Sequence, residues 1–503
     1  MKKLILASML AGLAVQAQAQ GFLDLKRYSV TRQFGTARSM GMGGAIGATG
    51  IDFSVSQVNP AALGQIRISQ ASGTIGLNFT GNSGTYLDHN VQDNRFNFSI
   101  PNIGIVLSKV QTKMGKEKTT GLVSYSFGFG FNRVNDFNRN ITISAPNSQS
   151  SYLDYLAEQA TKYVDWNSTA NNFYPFYPEE LALAANTIVH VGDNKYEANL
   201  PNVVTMNQNY RYQQSGRQTD WNISWGGNFS HRMYFGAAIS VPAIRYNSTE
   251  TITEQSDDPN LSPNVSFEQN TTVSTSGTGF NGKVGLMFRA NDWLRLGLAY
   301  HSPTSYTLTD QFSYTFMSRN FTNGQFVYTS GQLLSSDPGN FKYKFVTPGK
   351  MVLSTALVLK KTAMVAIDYE MVNYKEAQSP TSELIFVNNL VRDNFRTADN
   401  FRIGGEYNYL DYRFRAGYAM YASPFNNVIL NAIKGENLAL QVYSLGFGYQ
   451  EPSGNLFFDA ALMYEQFSEF YTPYLLETSN RPYFTSSNKV GITRLMFTVG
   501  SRF

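Results

Sequence analysis

Phe401, Ile403, Gly405, Tyr407 and Tyr409 are mostly apolar or aromatic and take every second position, with Arg402, Gly404, Glu406 and Asn408 between them. After Leu410-Asp411 the pattern restarts in Tyr412, Phe414, Ala416, Tyr418 and Met420, opposite Arg413, Arg415, Gly417, Ala419 and Tyr421. Side chains alternate faces along a strand, so each run has one apolar and one wet face. A sheet buried on both faces does not place Arg and Glu so regularly on one side. Lipid outside and a watery lumen inside explain the pattern. The same texture recurs at 221–229, 294–301, 365–371 and 456–465.

Repeated along the chain, this alternation predicts fourteen strands. They lie near 69–80, 94–109, 119–133, 217–230, 233–255, 265–289, 293–316, 341–359, 362–378, 397–409, 412–424, 437–450, 455–469 and 488–503. Their connectors fall into two sets. One is short: 110–118, 231–232, 290–292, 360–361, 410–411 and 451–454. The other is mostly long: 81–93, 134–216, 256–264, 317–340, 379–396, 425–436 and 470–487. Short turns on one rim and long loops on the other mark an outer-membrane barrel, with the turns periplasmic. The expected fold is therefore all-β, a 14-stranded antiparallel transmembrane β-barrel over 69–503 preceded by an N-terminal hatch over 20–68. The segment 134–216 reads as a large external excursion with helical pattern at 152–163 and 178–185 and an aromatic cluster at 173–177.

Composition narrows the alternatives. Charged residues are 15% and aromatics 14% of the chain, a balance foreign to cytosolic proteins. No stretch after residue 20 approaches a spanning helix. Lys2 and Lys3, the apolar run 4–15 and Ala17-Gln18-Ala19 read as a signal peptide over 1–19, cleaved to leave Gln20 first. The expected location is the outer membrane. Cys is 0, which removes disulfides, thiolate metal sites and cysteine nucleophiles. No basic run suggests nucleic acid. The four histidines, His89, His190, His231 and His301, form no catalytic cluster and no metal-ligand spacing. We expect no enzyme activity, no cofactor and no metal.

Residues 40–50 are dense in glycine, including Gly41, Gly43 and Gly44. Close behind come Asn59, Pro60 and Ala61. Asn is a good N-cap and Pro a good first helical residue, so a short helix or an ordinary turn should start there. A segment too small to fold alone, ahead of a barrel, reads as a plug in its lumen. At the other end Leu495, Phe497 and Val499 alternate before the terminal Phe503. That ending resembles the recognition signal of the barrel assembly machinery, the partner expected during biogenesis.

Gly21-Phe22-Leu23, the small-residue stretch and Asn59-Pro60-Ala61 resemble the FadL/TodX family of outer-membrane transporters for long-chain fatty acids and hydrophobic compounds. Similar in order are 221–246, 279–312 and 399–424, so the resemblance covers nearly the whole chain. It implies a hatch-plugged barrel that captures a hydrophobic small molecule outside and releases it towards outer-membrane lipid or periplasm. By position, Gln20, Gly21, Phe22 and Leu23 would line the inner ligand pocket, and Gly41, Gly43, Gly44, Asn59, Pro60 and Ala61 would belong to the hatch. One departure is that the largest external segment follows the third strand, while 256–264 is short where the family carries a large loop.

The alternation places Arg295, Arg402, Arg413, Arg415 and Arg494 on the inner face, shared with Asp368, Glu370, Glu406 and Asp459. Arg402, Arg413 and Arg415 are candidates for orienting an anionic head group; the competing reading is an ion-pair network bracing the lumen. A transporter needs an apolar path past Phe22 and the glycine-rich segment. The alternative function is a scaffold or secretion-machinery partner whose loops bind protein, with a haemin receptor using His190 behind it.

Overall fold

The structure, a computed structural model, describes residues 22–164, 177–200, 205–256, 266–322, 325–327, 334–360, 362–426, 438–476, 482 and 484–503. The signal-peptide region, Gln20, Gly21 and most of the aromatic cluster at 173–177 lie outside them. The wall is one closed antiparallel sheet of fourteen strands. In chain order these are β1 (Gln70–Tyr86), β2 (His89–Val110), β3 (Leu122–Asp136), β4 (Met206–Phe229), β5 (Met233–Ser256) and β6 (Ser266–Arg289). Next come β7, in two pieces (Leu294–His301 and Ser305–Thr322), and β8, also in two (Gly339–Val346 and Lys350–Leu359). The rest are β9 (Ala363–Asn373), β10 (Thr397–Tyr409), β11 (Tyr412–Tyr421), β12 (Leu440–Gln450), β13 (Leu456–Tyr471) and β14 (Ser486–Arg502). The ladder from Gln70↔Arg502 to Thr85↔Ser487 closes β14 onto β1.

The strands run further outward than the alternation predicted. The segment 81–93 is strand on both sides of the tight turn Leu87-Asp88, and β4 reaches up to Met206. The reason is visible on β6. Its outward residues are Phe280, Val284, Leu286 and Phe288 low on the strand, but Thr272, Ser274, Ser276 and Thr278 above. Apolar alternation records only contact with lipid, so it vanishes where a strand rises into water. Two long predicted strands, 293–316 and 341–359, are each broken. The breaks carry Pro303 and Pro348, which have no N–H for the ladder. They lie side by side, joined by Thr347 N donating to Thr304 O at 2.9 Å.

One seam interrupts the wall. β2 pairs with β3 only between Asn102↔Asn132 and Val110↔Ser124. Its upper part, beginning at Pro101, keeps β1 as its ladder partner. β3 meanwhile continues as Arg139–Asn147, paired to β4. That continuation turns inward, because a Cβ on Gly84 of β1 would meet Thr142 O at 3.2 Å. Arg95 crosses the gap, its Nη1 donating to Gln214 O at 2.7 Å and Asn140 Oδ1 at 3.0 Å.

The segment before β1 fills the lumen. It comprises α1 (Phe22–Ser29), α2 (Ala37–Gly41) and two 3-10 turns, Phe53–Gln57 and Pro60–Gln65. Asn59 caps the second, accepting from Ala61 N at 3.1 Å, with Pro60 at its start. Sequence placed this start correctly; the turn is 3-10 rather than α. Ile46, Phe53, Val55, Val58 and Leu63 form a core with Val106, Ala299 and Val352 of the wall.

External residues form a second core above the barrel. α3 (Tyr152–Tyr163), α4 (Pro178–Ala184) and the hairpin Ile188–Gly192/Lys195–Ala198 pack over Tyr86, Tyr210, Ile252, Phe267 and Phe316 at the strand tips. The excursion is thus a lid, and its strand-forming ends belong to the wall.

Candidate ligand site in the upper lumen

The lumen divides into a lower level, where the plug meets the wall, and an upper one crossed by α1. In the lower level, glycines on the wall meet the backbone of the plug. A Cβ on Gly404 or Gly417 would collide with Met42 and Gly43; one on Gly236 would collide with Pro60 and Ala61; one on Gly226 would collide with Gly64. Gly43 and Gly44 adopt φ of 63° and 74°, the left-handed region that favours glycine. Two backbones in direct contact leave no side-chain-wide space between them. The apolar path past the glycine-rich segment, which would separate a transporter from a scaffold, does not run through these contacts.

Ion pairs lock this level. The Asp368 carboxylate accepts from Ile46 N at 2.9 Å and Gly47 N at 3.1 Å. Arg402, 1% exposed, lies 3.8 Å from Asp368 and 3.3 Å from Glu370. Arg415 Nε donates to Glu406 at 2.7 Å and its Nη1 to Asp459 at 2.7 Å, while Arg38 of α2 reaches Glu406 at 2.7 Å. Lys283 bridges Asp220 at 2.6 Å and Gln57 of the plug at 2.9 Å. His301 bonds Val58 O at 3.0 Å. Arg413 contacts Gln450 near the periplasmic rim. The arginines marked as head-group candidates thus stand in or below the plug level, where opposite charges compensate Arg402 and Arg415.

In the upper level α1 lies across the lumen, and its two faces meet different surroundings. One face carries Leu25 and Tyr28 into a cluster with Ile244, Tyr246, Tyr306, Leu308, Tyr343, Phe345 and Val372. The Tyr28 ring lies 6.1 Å from Phe137 and 6.0 Å from Phe345. The connector after β9 descends onto the same cluster with Leu384, Val387 and Val391, the last two on α5 (Ile385–Asn394). Between α1 and α5 lies a narrow crevice, lined by Asp24, Leu25, Tyr28, Tyr343, Phe345, Ser379, Leu384 and Val387. None of Arg402, Arg413 and Arg415 lines it. The other side is polar: Arg27 pairs with Asp24, Arg32 with Glu465 at 2.9 Å, and Arg494 with Glu465 at 2.7 Å and Asn78 at 2.8 Å.

Sequence pointed to the head of α1 through Phe22 and Leu23 but not to its next turn, Leu25 and Tyr28. It also passed over 379–396 as a plain connector. The i, i+3, i+7 spacing of Leu384, Val387 and Val391 was the available signal for a helix with one buried face.

The lid is fastened above the crevice. The carboxylate of Glu254, on β5, accepts from Tyr152 N and Gln208 Nε2 at 2.8 Å each, and from the Ser151 and Tyr210 hydroxyls. It thereby holds the first turn of α3. Gln208 also donates to the Tyr474 hydroxyl at 3.0 Å, tying in the last external connector.

Two comparisons bear on this architecture. The fold is similar to a Pseudomonas aeruginosa FadL homologue at TM-score 0.52 and 11% identity, covering 94% of this chain and 100% of that one. It is also similar to the P. putida toluene transporter TodX at TM-score 0.50 and 12% identity, covering 94% and 99%. Residues 231–475 match the family model described as outer membrane protein transport protein (OMPP1/FadL/TodX). Over just under half of its length, then, the chain matches the FadL/TodX family, and its barrel is of that type. No curated protein matches its sequence significantly. The match and the closed barrel are those of an outer-membrane transporter of hydrophobic compounds. The family's barrel is here the full fourteen strands; the matched residues run from the turn before β5 to just past β13.

Proposed function

We propose that this FadL/TodX barrel takes up long-chain amphiphiles, fatty acids among them, holds their apolar part in the crevice between α1 and α5, and releases them sideways. The crevice carries the reading: its walls are aromatic and aliphatic, and it lies between the two helices that reach into the upper lumen. Burying a chain there is worth roughly 0.8 kcal/mol per methylene. The polar face of α1 supplies Arg27 and Lys26 for a head group, and Phe22 and Leu23 begin the same helix. Sideways release follows from the two levels of the lumen. Downward passage requires the docked plug to leave its glycine seats, whereas the seam above Asn102 borders lipid through Phe96, Phe98 and Ile100.

Lipid mass spectrometry on protein purified in mild detergent tests the proposal. Wild type should carry a long-chain amphiphile near one to one, and Leu25→Asp or Tyr28→Ala should lose most of it with the barrel intact. An empty wild type, or variants with an unchanged load, would remove the crevice from the pathway.

A further inference from the structure

The connector between β2 and β3 hangs from the periplasmic rim as a small hairpin, Thr112–Lys113 paired to Lys116–Glu117. Its tip is Met114-Gly115, and Met114 is 95% exposed. Four lysines, Lys109, Lys113, Lys116 and Lys118, fall within ten residues of chain. The one acid among them, Glu117, is paired with Arg67, so it does not neutralise the lysines. No side-chain hydrogen bond or ion pair to a described residue engages any of the four. Gly121 N donates to the Ser230 hydroxyl at 3.0 Å, which fixes the hairpin's base beside the β4–β5 turn, where Arg232 adds another cation.

The patch adjoins the lipid-facing band. Leu107, 51% exposed on the outer face of β2, is two residues above exposed Lys109, and Ile68, 58% exposed, follows Arg67. A lysine one step below a lipid-facing leucine extends its ammonium to the level of phosphates. A solvent-exposed methionine between two lysines has the pattern of a tip that enters the interface while its neighbours hold anions.

We infer that this hairpin and the adjoining rim bind the phosphate groups of anionic phospholipid in the periplasmic leaflet. The occupant is a lipid rather than an acidic protein because the cations continue the outward apolar band and the tip residue is apolar. Clustered lysines at a membrane surface each add to attraction for anionic lipid, and the effect falls with salt. The inference concerns the outer rim, so it stands or falls independently of the crevice.

The test uses full-length protein in detergent, titrated with dioleoylphosphatidylglycerol or dioleoylphosphatidylcholine and read by native mass spectrometry. Wild type should retain phosphatidylglycerol about tenfold better. The combined Lys109→Gln, Lys113→Gln, Lys116→Gln and Lys118→Gln variant should lose that preference, and the corresponding four Lys→Arg changes should restore it. Heat-modifiable gel mobility verifies that each variant is folded. Equal retention of both lipids by wild type, or undiminished preference in the Gln variant, would overturn the proposal and leave the patch to an acidic protein. Displacement of the lipid by inorganic phosphate at constant ionic strength would overturn it in favour of a free-anion site.

Discussion

Asp368 and Glu179 show how single buried carboxylates set the behaviour of whole segments. Asp368 satisfies two backbone N–H groups of the plug, and its removal leaves both amides buried without a partner, at about 1–3 kcal/mol each. Asp368→Ala should loosen the plug while the barrel persists, seen as larger and more frequent conductance steps in planar bilayers; wild-type conductance would refute the role. Glu179, on the external helix α4, is 4% exposed, and burial pushes its carboxyl up to about 7 from 4.5. A carboxyl raised in the folded state favours folding at low pH, so the lid should lose stability as pH climbs from 4.5 towards 7. The full effect is roughly 3 kcal/mol. Glu179→Gln should remove that dependence. Comparing proteolytic nicking of the 148–205 region at pH 5 and pH 8 in both proteins checks it, and identical ratios would exclude Glu179.

Elements were legible in sequence to the extent that lipid wrote them. The runs around Trp221, Leu296, Phe401 and Phe458 were readable because apolar residues recur where the bilayer demands them. The polar strand tips at 81–93 and 206–216 were not, because the outward face there meets water and any polar residue suffices. Asn59-Pro60 announced its turn through local capping chemistry. The docking of Gly404, Gly417 and Gly236 on the plug was invisible, since a long-range contact leaves only a glycine behind. The crevice was barely legible: the resemblance named Phe22 and Leu23, at the head of α1, and α5 needed a helical period looked for inside a connector. The α3 lid depends on Glu254 in the same long-range way. Glu254→Ala should release the first turn of α3 and speed opening, whereas Glu254→Gln keeps most of the acceptor geometry. The chain lacks cysteine, so maleimide labelling of an introduced Ala157→Cys reports opening directly. A several-fold faster rate is expected in Glu254→Ala alone; equal rates would mean that the lid is held elsewhere.

At the scale of the molecule, a plug seated on glycine and a wall unlaced between β2 and β3 assign separate jobs to two directions. On the proposed route the floor would keep the periplasmic permeability barrier, and the side would give access to lipid. Joining Arg95→Cys to Asn140→Cys with a short bis-maleimide should block transfer into liposomes while leaving crevice occupancy near wild type. Undiminished transfer would place the exit elsewhere. The height of the wall has its own consequence. From Phe280 to Ser266, β6 runs fourteen residues above its lipid-facing band, or roughly 35 Å along the barrel axis at a usual strand tilt. The mouth is therefore the top of a chimney, standing well above the lipid-facing band. What enters has to be dispersed in the surrounding fluid as single molecules or taken from a carrier at that height. Uptake should follow a compound's concentration in the medium, not the amount already dissolved in the cell surface.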